Sequence, residues 1–163
     1  MNINGFWQKS DQRKFGQLGC IVNVLARHPE FSSRPISAVR RWTENAIAHG
    51  YVEIFFHGGF PAGYVAWAYL TEEVIGRVLF SDYVPHWTEW SEGDYVWIMD
   101  VCMLTESGSL ELLDFYSRKF FEDRQVFWCV ENSGGGKVCR FDILNRRTSS
   151  ISKRGFMKKI AFN

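Results

Sequence analysis

The sequence predicts an α+β domain in which helices pack on a mostly antiparallel sheet. The first part of the chain holds two segments whose apolar residues recur at helical spacing, and strand-like runs and shorter helices follow. Gly-rich connectors, "HGGFP" and "SGGGK", each join two strand-like runs into a hairpin. The chain has 163 residues and shows neither an internal repeat nor a linker. We therefore expect one domain over residues 1–163.

The first two elements are predicted to be helices. The first covers residues 11–27 and is closed by Pro29, because the residue before a proline avoids the helical region. The second has Pro35 at its first turn and Gly50 at its C-terminal end. Apolar residues at helical spacing support both helices: Phe15, Leu18, Ile21, Val22 and Leu25 in the first, and Ile36, Val39, Thr43 and Ile47 in the second.

Strand-like runs begin after Gly50. The hairpin strands "YVEIFF" and "AGYVAWAYL" are followed by a short helix, "EEVIGRVLF", which Thr71 is placed to cap. "DYVWIMDVCML" is predicted to be a strand buried on both faces. "SLELLDFYSRKFFED" is predicted to be a helix with Leu113, Tyr116 and Phe120 on one stripe, and the strands "QVFWCVEN" and "VCRFDILN" follow. The predicted order is therefore α-α-β-β-α-β-α-β-β.

The composition is that of a folded chain without a strong electric field. The net charge of +1 gives no global attraction for nucleic acid or for a membrane surface, so neither is expected as a partner. The start, "MNINGFWQKS", lacks the apolar core of a signal peptide, and no apolar run approaches the roughly 20 residues of a membrane span. We expect a cytoplasmic protein. The 17% of aromatic residues predict an aromatic-rich core or, alternatively, an aromatic-lined groove.

Asp100 is the strongest candidate for a residue that carries chemistry. It interrupts the apolar run "YVWIMDVCML", and a carboxylate in such surroundings is costly unless it is paired or hydrogen-bonded. Burial favours its neutral form, which is typical of a catalytic base or of a group that orients a histidine. The alternative is a structural carboxylate that caps a neighbouring backbone group or pairs with an arginine.

The cysteines and histidines give weaker signals. The four cysteines lack metal-type spacing, so we expect free, mostly buried thiols and no metal site. Cys102 points to the same face as Asp100 and is either an acyl carrier or a buried inert thiol. His28 lies in the loop after the first helix and is free to enter a cleft. The other histidines are placed at a helix end, in a Gly-rich turn and in a loop: His49, His57 and His86.

The chain is basic near its end. Residues 137–159 hold eight basic residues against the single acid Asp142. We expect a basic tail from about residue 146 that either docks an acidic partner, such as an acyl carrier protein, or is simply solvated. The candidate partner-binding residues of this tail are Arg146, Arg147, Lys153 and Arg154.

The segment "WSEGDYVWIMD" carries a family resemblance. Trp90, Gly93, Asp94, Trp97 and Asp100 match the Trp-x-x-Gly-Asp-x-x-Trp-x-x-Asp pattern of the toxin-activating lysine acyltransferases, the hemolysin-activating family of Gram-negative bacteria. "MNIN", "AWAYL" and "SRKFF" extend the resemblance over roughly residues 1–145. It implies an N-acetyltransferase-like fold and transfer of a fatty acyl group from acyl carrier protein to internal lysines of a toxin precursor. It also implies a catalytic pair made of a histidine near the N-terminus and the aspartate at Asp100.

The sequence departs from this family in the loop after the first helix. The family has Ser-Ser-Pro-Leu-His-x-x-x-Pro there, and the ungapped register that matches Pro29 and Pro35 places the family histidine on Phe31. His28 matches a serine three residues earlier, and only a local gap brings it onto the histidine. The family's Ala-Pro-Phe-Gly after the aspartate strand is replaced by "CMLTESG".

Three hypotheses follow from the resemblance and from this departure. The first is a divergent branch that matures microcins and, with a second maturation protein, attaches a glucosylated catechol siderophore to the C-terminus of the peptide. The second is an orthodox lysine acyltransferase that uses His28 with Asp100. The third is a non-catalytic scaffold subunit. No bound cofactor is expected. Either acyl carrier protein supplies the acyl donor, or a partner protein supplies ATP-dependent activation. The protein is expected to act in a hetero-complex or as a homo-oligomer.

Overall fold

In the described part of the chain, the fold combines five α-helices with one six-stranded sheet. A computed structural model describes residues 9–131 and 135–161. Its helices are α1 (Lys9–Arg27), α2 (Ile36–His49), α3 (Glu72–Phe80), α4 (Gly108–Lys119) and α5 (Lys153–Ile160), with a 3₁₀ turn at Trp87–Trp90. Its strands are β1 (Val52–His57), β2 (Phe60–Leu70), β3 (Tyr95–Met103), β4 (Gln125–Val130), β5 (Lys137–Asp142) and β6 (Arg147–Ser152).

The sheet follows the order of the chain, β1-β2-β3-β4-β5-β6. All neighbouring strands are antiparallel except β3 and β4. A parallel pair needs a crossover, which α4 provides. The predicted α+β class with a mostly antiparallel sheet is confirmed, and all nine predicted elements are present in the predicted order.

Helices cover both faces of the sheet. This is required because successive buried side chains along β2 point to opposite faces. Tyr64 and Ala66 belong to one core, in which the sheet packs against α1, α2, α3 and α5. Val65 and Trp67 belong to the second core, where α4 contributes Phe115. The predicted aromatic-rich interior is confirmed by three fully buried tryptophans, Trp67, Trp90 and Trp97.

Local signals account for several boundaries. Gly58 and Gly59 both have positive φ, which gives the tight β1–β2 turn a backbone that non-Gly residues rarely adopt. The Thr71 side chain accepts a hydrogen bond from the backbone N–H of Val74 and caps α3 as predicted. Gly50 adopts the left-handed conformation after α2. Residues 132–134, which hold part of the predicted "SGGGK" turn, lie outside the described residues, as does the "MNIN" start.

The end of the chain differs from the sequence prediction. Residues after 146 form β6, which pairs with β5 along its length, and then α5, which buries Phe156 and Ile160. The sequence did not indicate β6, because "RTSSIS" has no polar–apolar alternation and all six of its residues are exposed. The basic end is therefore a folded edge of the domain rather than a free solvated tail.

Candidate active site

Asp100 lies where β3 leaves its parallel partner. β3 pairs with β4 only at Trp97 and Ile98. On the other side, the register with β2 slips next to Asp100, so that Met99 is an extra, bulged residue. Bulges often re-aim side chains next to active sites. The middle of β3, from Met99 to Val101, is consequently half-buried, which corrects the prediction of a strand buried on both faces.

The carboxylate of Asp100 has three hydrogen-bond donors. One guanidinium nitrogen of Arg34, Nη1, lies 3.2 and 3.1 Å from its two oxygens. The hydroxyl of Tyr64 donates over 2.6 Å, and the backbone N–H of Val101 donates over 3.0 Å. The Asp100 side chain is 14% exposed and that of Arg34 is 35% exposed. Asp100 is therefore a paired, hydrogen-bonded carboxylate at the edge of the core.

The connection between α1 and α2 brings Arg34 to this site. Backbone hydrogen bonds from Ser32 to His28 and from Arg34 to Phe31 fold the connection into a compact turn. The Arg34 guanidinium carbon lies 4.0 Å from the centroid of the Phe31 ring. Phe31 also stacks on His28, with ring centroids 4.3 Å apart. Phe31 thus contacts both His28 and Arg34.

His28 is linked to Asp100 through these intermediate side chains. Within the described part of the chain, His28 and Asp100 share no hydrogen bond; the His28 Nδ1 accepts from the backbone N–H of Glu30 at 3.3 Å. The path from His28 to Asp100 runs through the Phe31 ring and the Arg34 guanidinium. Pairing of His28 with Asp100 remains a prediction.

A cavity of about 330 Å³ adjoins Asp100. Asp100 and Arg34 supply its polar groups, and its remaining lining comes from α2 and the bulge: Ala38, Val39, Trp42 and Met99. The volume lies at the lower end of the range for small-molecule sites, about 300–1,000 Å³. It is large enough for the reacting end of a ligand, with an apolar surface beside the charged pair.

Neighbouring groups are held in their protonated forms. Burial and the Asp100 carboxylate raise the pKa of Tyr64 far above its usual range, so its hydroxyl remains a donor. Burial, with a smaller contribution from Asp100, raises the pKa of Cys102 to about 11. Cys102 is buried and opposite Tyr64 in the sheet, and a neutral thiol is a poor nucleophile. These features favour the inert thiol over the acyl carrier. Cys20, Cys129 and Cys139 are also free but only half-buried, less than expected.

The other histidines lie away from this site. His49 ends α2, where its Nε2 donates a hydrogen bond to the carbonyl oxygen of Trp87 and its ring stacks on that of Trp87. His86 precedes the 3₁₀ turn, with its backbone N–H donating to Glu89. His57 ends β1 and lines a separate surface cleft near Phe60.

The four basic residues proposed for partner binding differ in their environments. Lys153 is engaged internally: its ammonium donates to the carbonyl oxygen of Leu79 over 2.9 Å and forms an ion pair with Glu131. Arg146 pairs with Asp114 at 2.8 Å on the surface. Arg147, in β6, and Arg154, in α5, are exposed. Their role in binding a partner stays a prediction.

The Trp-Gly-Asp-Trp-Asp motif holds three packing residues, the exposed Asp94 and one residue at the cavity. Trp90 is fully buried and donates from Nε1 to the carbonyl of Pro85. A Cβ on Gly93 would lie 1.8 Å from the backbone of Leu70, so only glycine fits there. Trp97 packs near Phe156. Most of the motif thus fixes the start of β3, and Asp100 is the member that reaches the cavity.

The described residues hold neither a metal-ligand cluster nor a membrane-spanning helix. Among the described residues, no three or more His, Cys, Asp or Glu side chains lie together as metal ligands would. Over the same residues, every helix is either too short or too polar to cross a membrane.

The fold and the site define an N-acetyltransferase-like α+β domain with an aspartate at the point where two parallel strands separate. A model of the RTX toxin acyltransferase family matches residues 10–145, so the chain belongs to that family. It is also similar to the RTX-II toxin-activating lysine-acyltransferase ApxIIC of Actinobacillus pleuropneumoniae, with 28% identity over 107 residues. That match covers 66% of this chain and 66% of the relative, just under two thirds of the relative's length.

Sequence reasoning found Asp100 but not its partners. An arginine was one expected partner for this carboxylate, yet Arg34 is 66 residues away in the chain and carries no motif. Tyr64 lies in an apolar strand run, where its hydroxyl is the only local signal. Both are positioned by tertiary contacts that periodicity does not encode.

Proposed function

We propose that this protein matures a toxin in the producing cell by acyl transfer, with the Asp100 cavity as its active site. The observation that carries this proposal is the position of Asp100. The aspartate that matches the family motif lies beside a cavity, at the separation of β3 from β4, and is held by Arg34 and Tyr64. The family of acyltransferases to which the chain belongs supplies the reaction class.

For the acceptor, we favour a ribosomally made microcin peptide over the lysines of a repeat toxin. Lysine acylation needs a base to remove a proton from an ammonium. In the ungapped register of the sequence, Phe31 replaces the family histidine, and Asp100 is already paired with Arg34. The proposed product is the peptide joined at its C-terminus to a glucosylated catechol siderophore, formed with a second maturation protein and ATP.

Lysine acylation is the second candidate, since the relative named above is a lysine acyltransferase. His28 would be its base, with acyl carrier protein as donor. His28 is separated from Arg34 only by the Phe31 ring, so a modest rearrangement of the α1–α2 connection would bring it nearer to Asp100.

Mass spectrometry of two parallel reactions separates these candidates. One contains the protein with its maturation partner, peptide, glucosylated siderophore and ATP; the other contains acylated carrier protein and a repeat-toxin fragment with internal lysines. We expect a C-terminal adduct in the first reaction and none after Asp100→Asn. An adduct on lysine in the second reaction would instead establish lysine acylation. Unchanged product from Asp100→Asn, with the complex intact, would identify a non-catalytic scaffold.

A further inference from the structure

Arg34 has hydrogen-bonding capacity that the fold does not use. A guanidinium carries five N–H donors, and in the described part of the chain only Nη1 of Arg34 has a hydrogen-bond acceptor, Asp100. The guanidinium lines the cavity of about 330 Å³ and is 35% exposed. Its plane is supported by Phe31, and its Nη1 edge by Asp100. The group is thus fixed while its Nε and Nη2 donors are without a partner in the described protein.

The surroundings of Arg34 suit an oxygen that carries negative charge. Trp42, Met99 and Val39 give the cavity an apolar wall, which strengthens electrostatic interactions there. The Asp100 carboxylate holds Nη1, and the Tyr64 hydroxyl holds the carboxylate in turn. Preorganised donors of this kind stabilise charge that develops during a reaction without having to reorient.

We propose that Arg34 binds the carbonyl oxygen of the acyl group in this cavity and stabilises the negative charge that forms on it during transfer, with Asp100 and Tyr64 as positioning residues. This inference rests on the proposed function and assigns the site a role that needs no histidine. It makes Arg34 the catalytic residue and gives Asp100 an indirect part in the reaction.

The step balances as an ordinary acyl transfer. The acceptor, an amine or a hydroxyl, forms a bond to the acyl carbon, and the carbonyl π electrons move onto the oxygen held by Arg34. The carbonyl then re-forms and the bond to the leaving group, a thiolate or a phosphate oxygen, breaks with its electron pair. The proton of the acceptor passes to the leaving group. Arg34 neither gains nor loses a proton.

Binding of n-hexylphosphonate tests this assignment, because its tetrahedral anionic head imitates the charged intermediate and its chain suits the apolar wall. We expect calorimetry to show that the wild-type protein binds hexylphosphonate more tightly than hexylamine. Arg34→Gln should weaken hexylphosphonate binding by at least about tenfold, because a charge-assisted hydrogen bond is lost. Arg34→Lys should retain part of the affinity. The matched control is Arg40→Gln, which changes an arginine on the exposed face of α2 and should bind normally.

A second variant keeps the result independent of the stability of the Arg34 variants. Ala38→Leu reduces the cavity volume and keeps both members of the Arg34–Asp100 pair, so it should abolish hexylphosphonate binding while the unfolding midpoint stays close to that of the wild type. Equal affinity of wild type and Arg34→Gln, or tighter binding of hexylamine, would overturn the assignment. If Arg34-dependent binding is found but neither toxin reaction gives a product, the proposed function fails while the anion site stands.

Discussion

The guanidinium of Arg34 lies 3.1 Å from the carboxylate of Asp100 and joins the α1–α2 connection to the middle of β3. The pair brings together residues 66 positions apart in the chain. It also bears on the chemistry of the site, because both carboxylate oxygens of Asp100 already accept hydrogen bonds from Arg34. The loop that supplies this arginine also carries His28 and Phe31.

A double-mutant cycle should show that Arg34 and Asp100 are energetically coupled. We expect Arg34→Gln and Asp100→Asn each to lower the free energy of unfolding by about 1–2 kcal/mol, with a coupling energy of about 1 kcal/mol, because the pair is only partly buried. Urea denaturation of the wild type, the two single variants and the double variant measures this coupling energy. The control cycle uses Arg40 and Glu44, whose side chains are 71% and 61% exposed and whose coupling should be clearly weaker, because water screens an exposed ion pair. Strictly additive effects of the Arg34 and Asp100 substitutions would contradict the expected coupling.

Tyr64→Phe should affect activity more than its loss of stability explains. The substitution removes one hydrogen bond to Asp100 and should lower the free energy of unfolding by about 1 kcal/mol. We expect the toxin-modification rate to fall several-fold, since Asp100 would hold Arg34 less rigidly. Tyr95→Phe is the matched control, because Tyr95 donates to the Glu72 carboxylate at 3.0 Å away from the cavity. It should lower stability similarly and leave the rate unchanged; an equal loss of rate in both variants would count against a positioning role for Tyr64.

The order of elements could be predicted because apolar periodicity decides it. The helical spacing of Ile21 and Leu25 and the alternation of Tyr64 and Val65 both correspond to buried faces. The last two elements could not be predicted from the same signal. β6 is polar throughout and gains its strand conformation by pairing with β5, while α5 has only Phe156 and Ile160 to bury.

The candidate site was predictable only where a single residue contradicted its surroundings. Asp100 stood out as a charge in an apolar run, and the family motif pointed to the same residue. The bulge at Met99 and the pairing with Arg34 depend on the sheet register and on the path of a loop. Neither is a local property of the sequence, so the cavity and its free donors became visible only in the fold.

His28→Ala should retain most of the activity if Arg34 is the catalytic group. His28 stacks on Phe31 and shares no hydrogen bond with Asp100 in the described chain, so its loss should change the modification rate less than about threefold. His86→Ala, which alters an exposed histidine before the 3₁₀ turn, serves as the control. A fall of about 100-fold or more for His28→Ala alone would identify His28 as the base. In that case Phe31→His should restore lysine acylation to His28→Ala.

The Lys153–Glu131 pair should make the attachment of α5 dependent on pH. A hydrogen bond from Lys153 lowers the pKa of Glu131, so the folded chain takes up this proton only at a lower pH than the unfolded chain. The stabilisation is therefore fully present above the ordinary glutamate pKa of about 4.3 and is lost as the pH falls through the lower folded value. Because the Glu131 side chain is 70% exposed, we expect the pair to contribute no more than about 1 kcal/mol.

Urea denaturation of wild type and Lys153→Met between pH 7 and pH 3 measures this contribution. We expect the free energies of unfolding of the two proteins to differ most at pH 7 and to converge toward pH 3. Glu131→Gln should differ from the wild type in the same way. Lys158→Met, which changes an exposed lysine of α5, should follow the wild-type curve throughout. The difference in the free energy of unfolding between wild type and Lys153→Met could instead stay constant with pH. Such a result would mean that α5 is attached to α3 by the hydrogen bond from Lys153 to the Leu79 carbonyl, and not by the ion pair with Glu131.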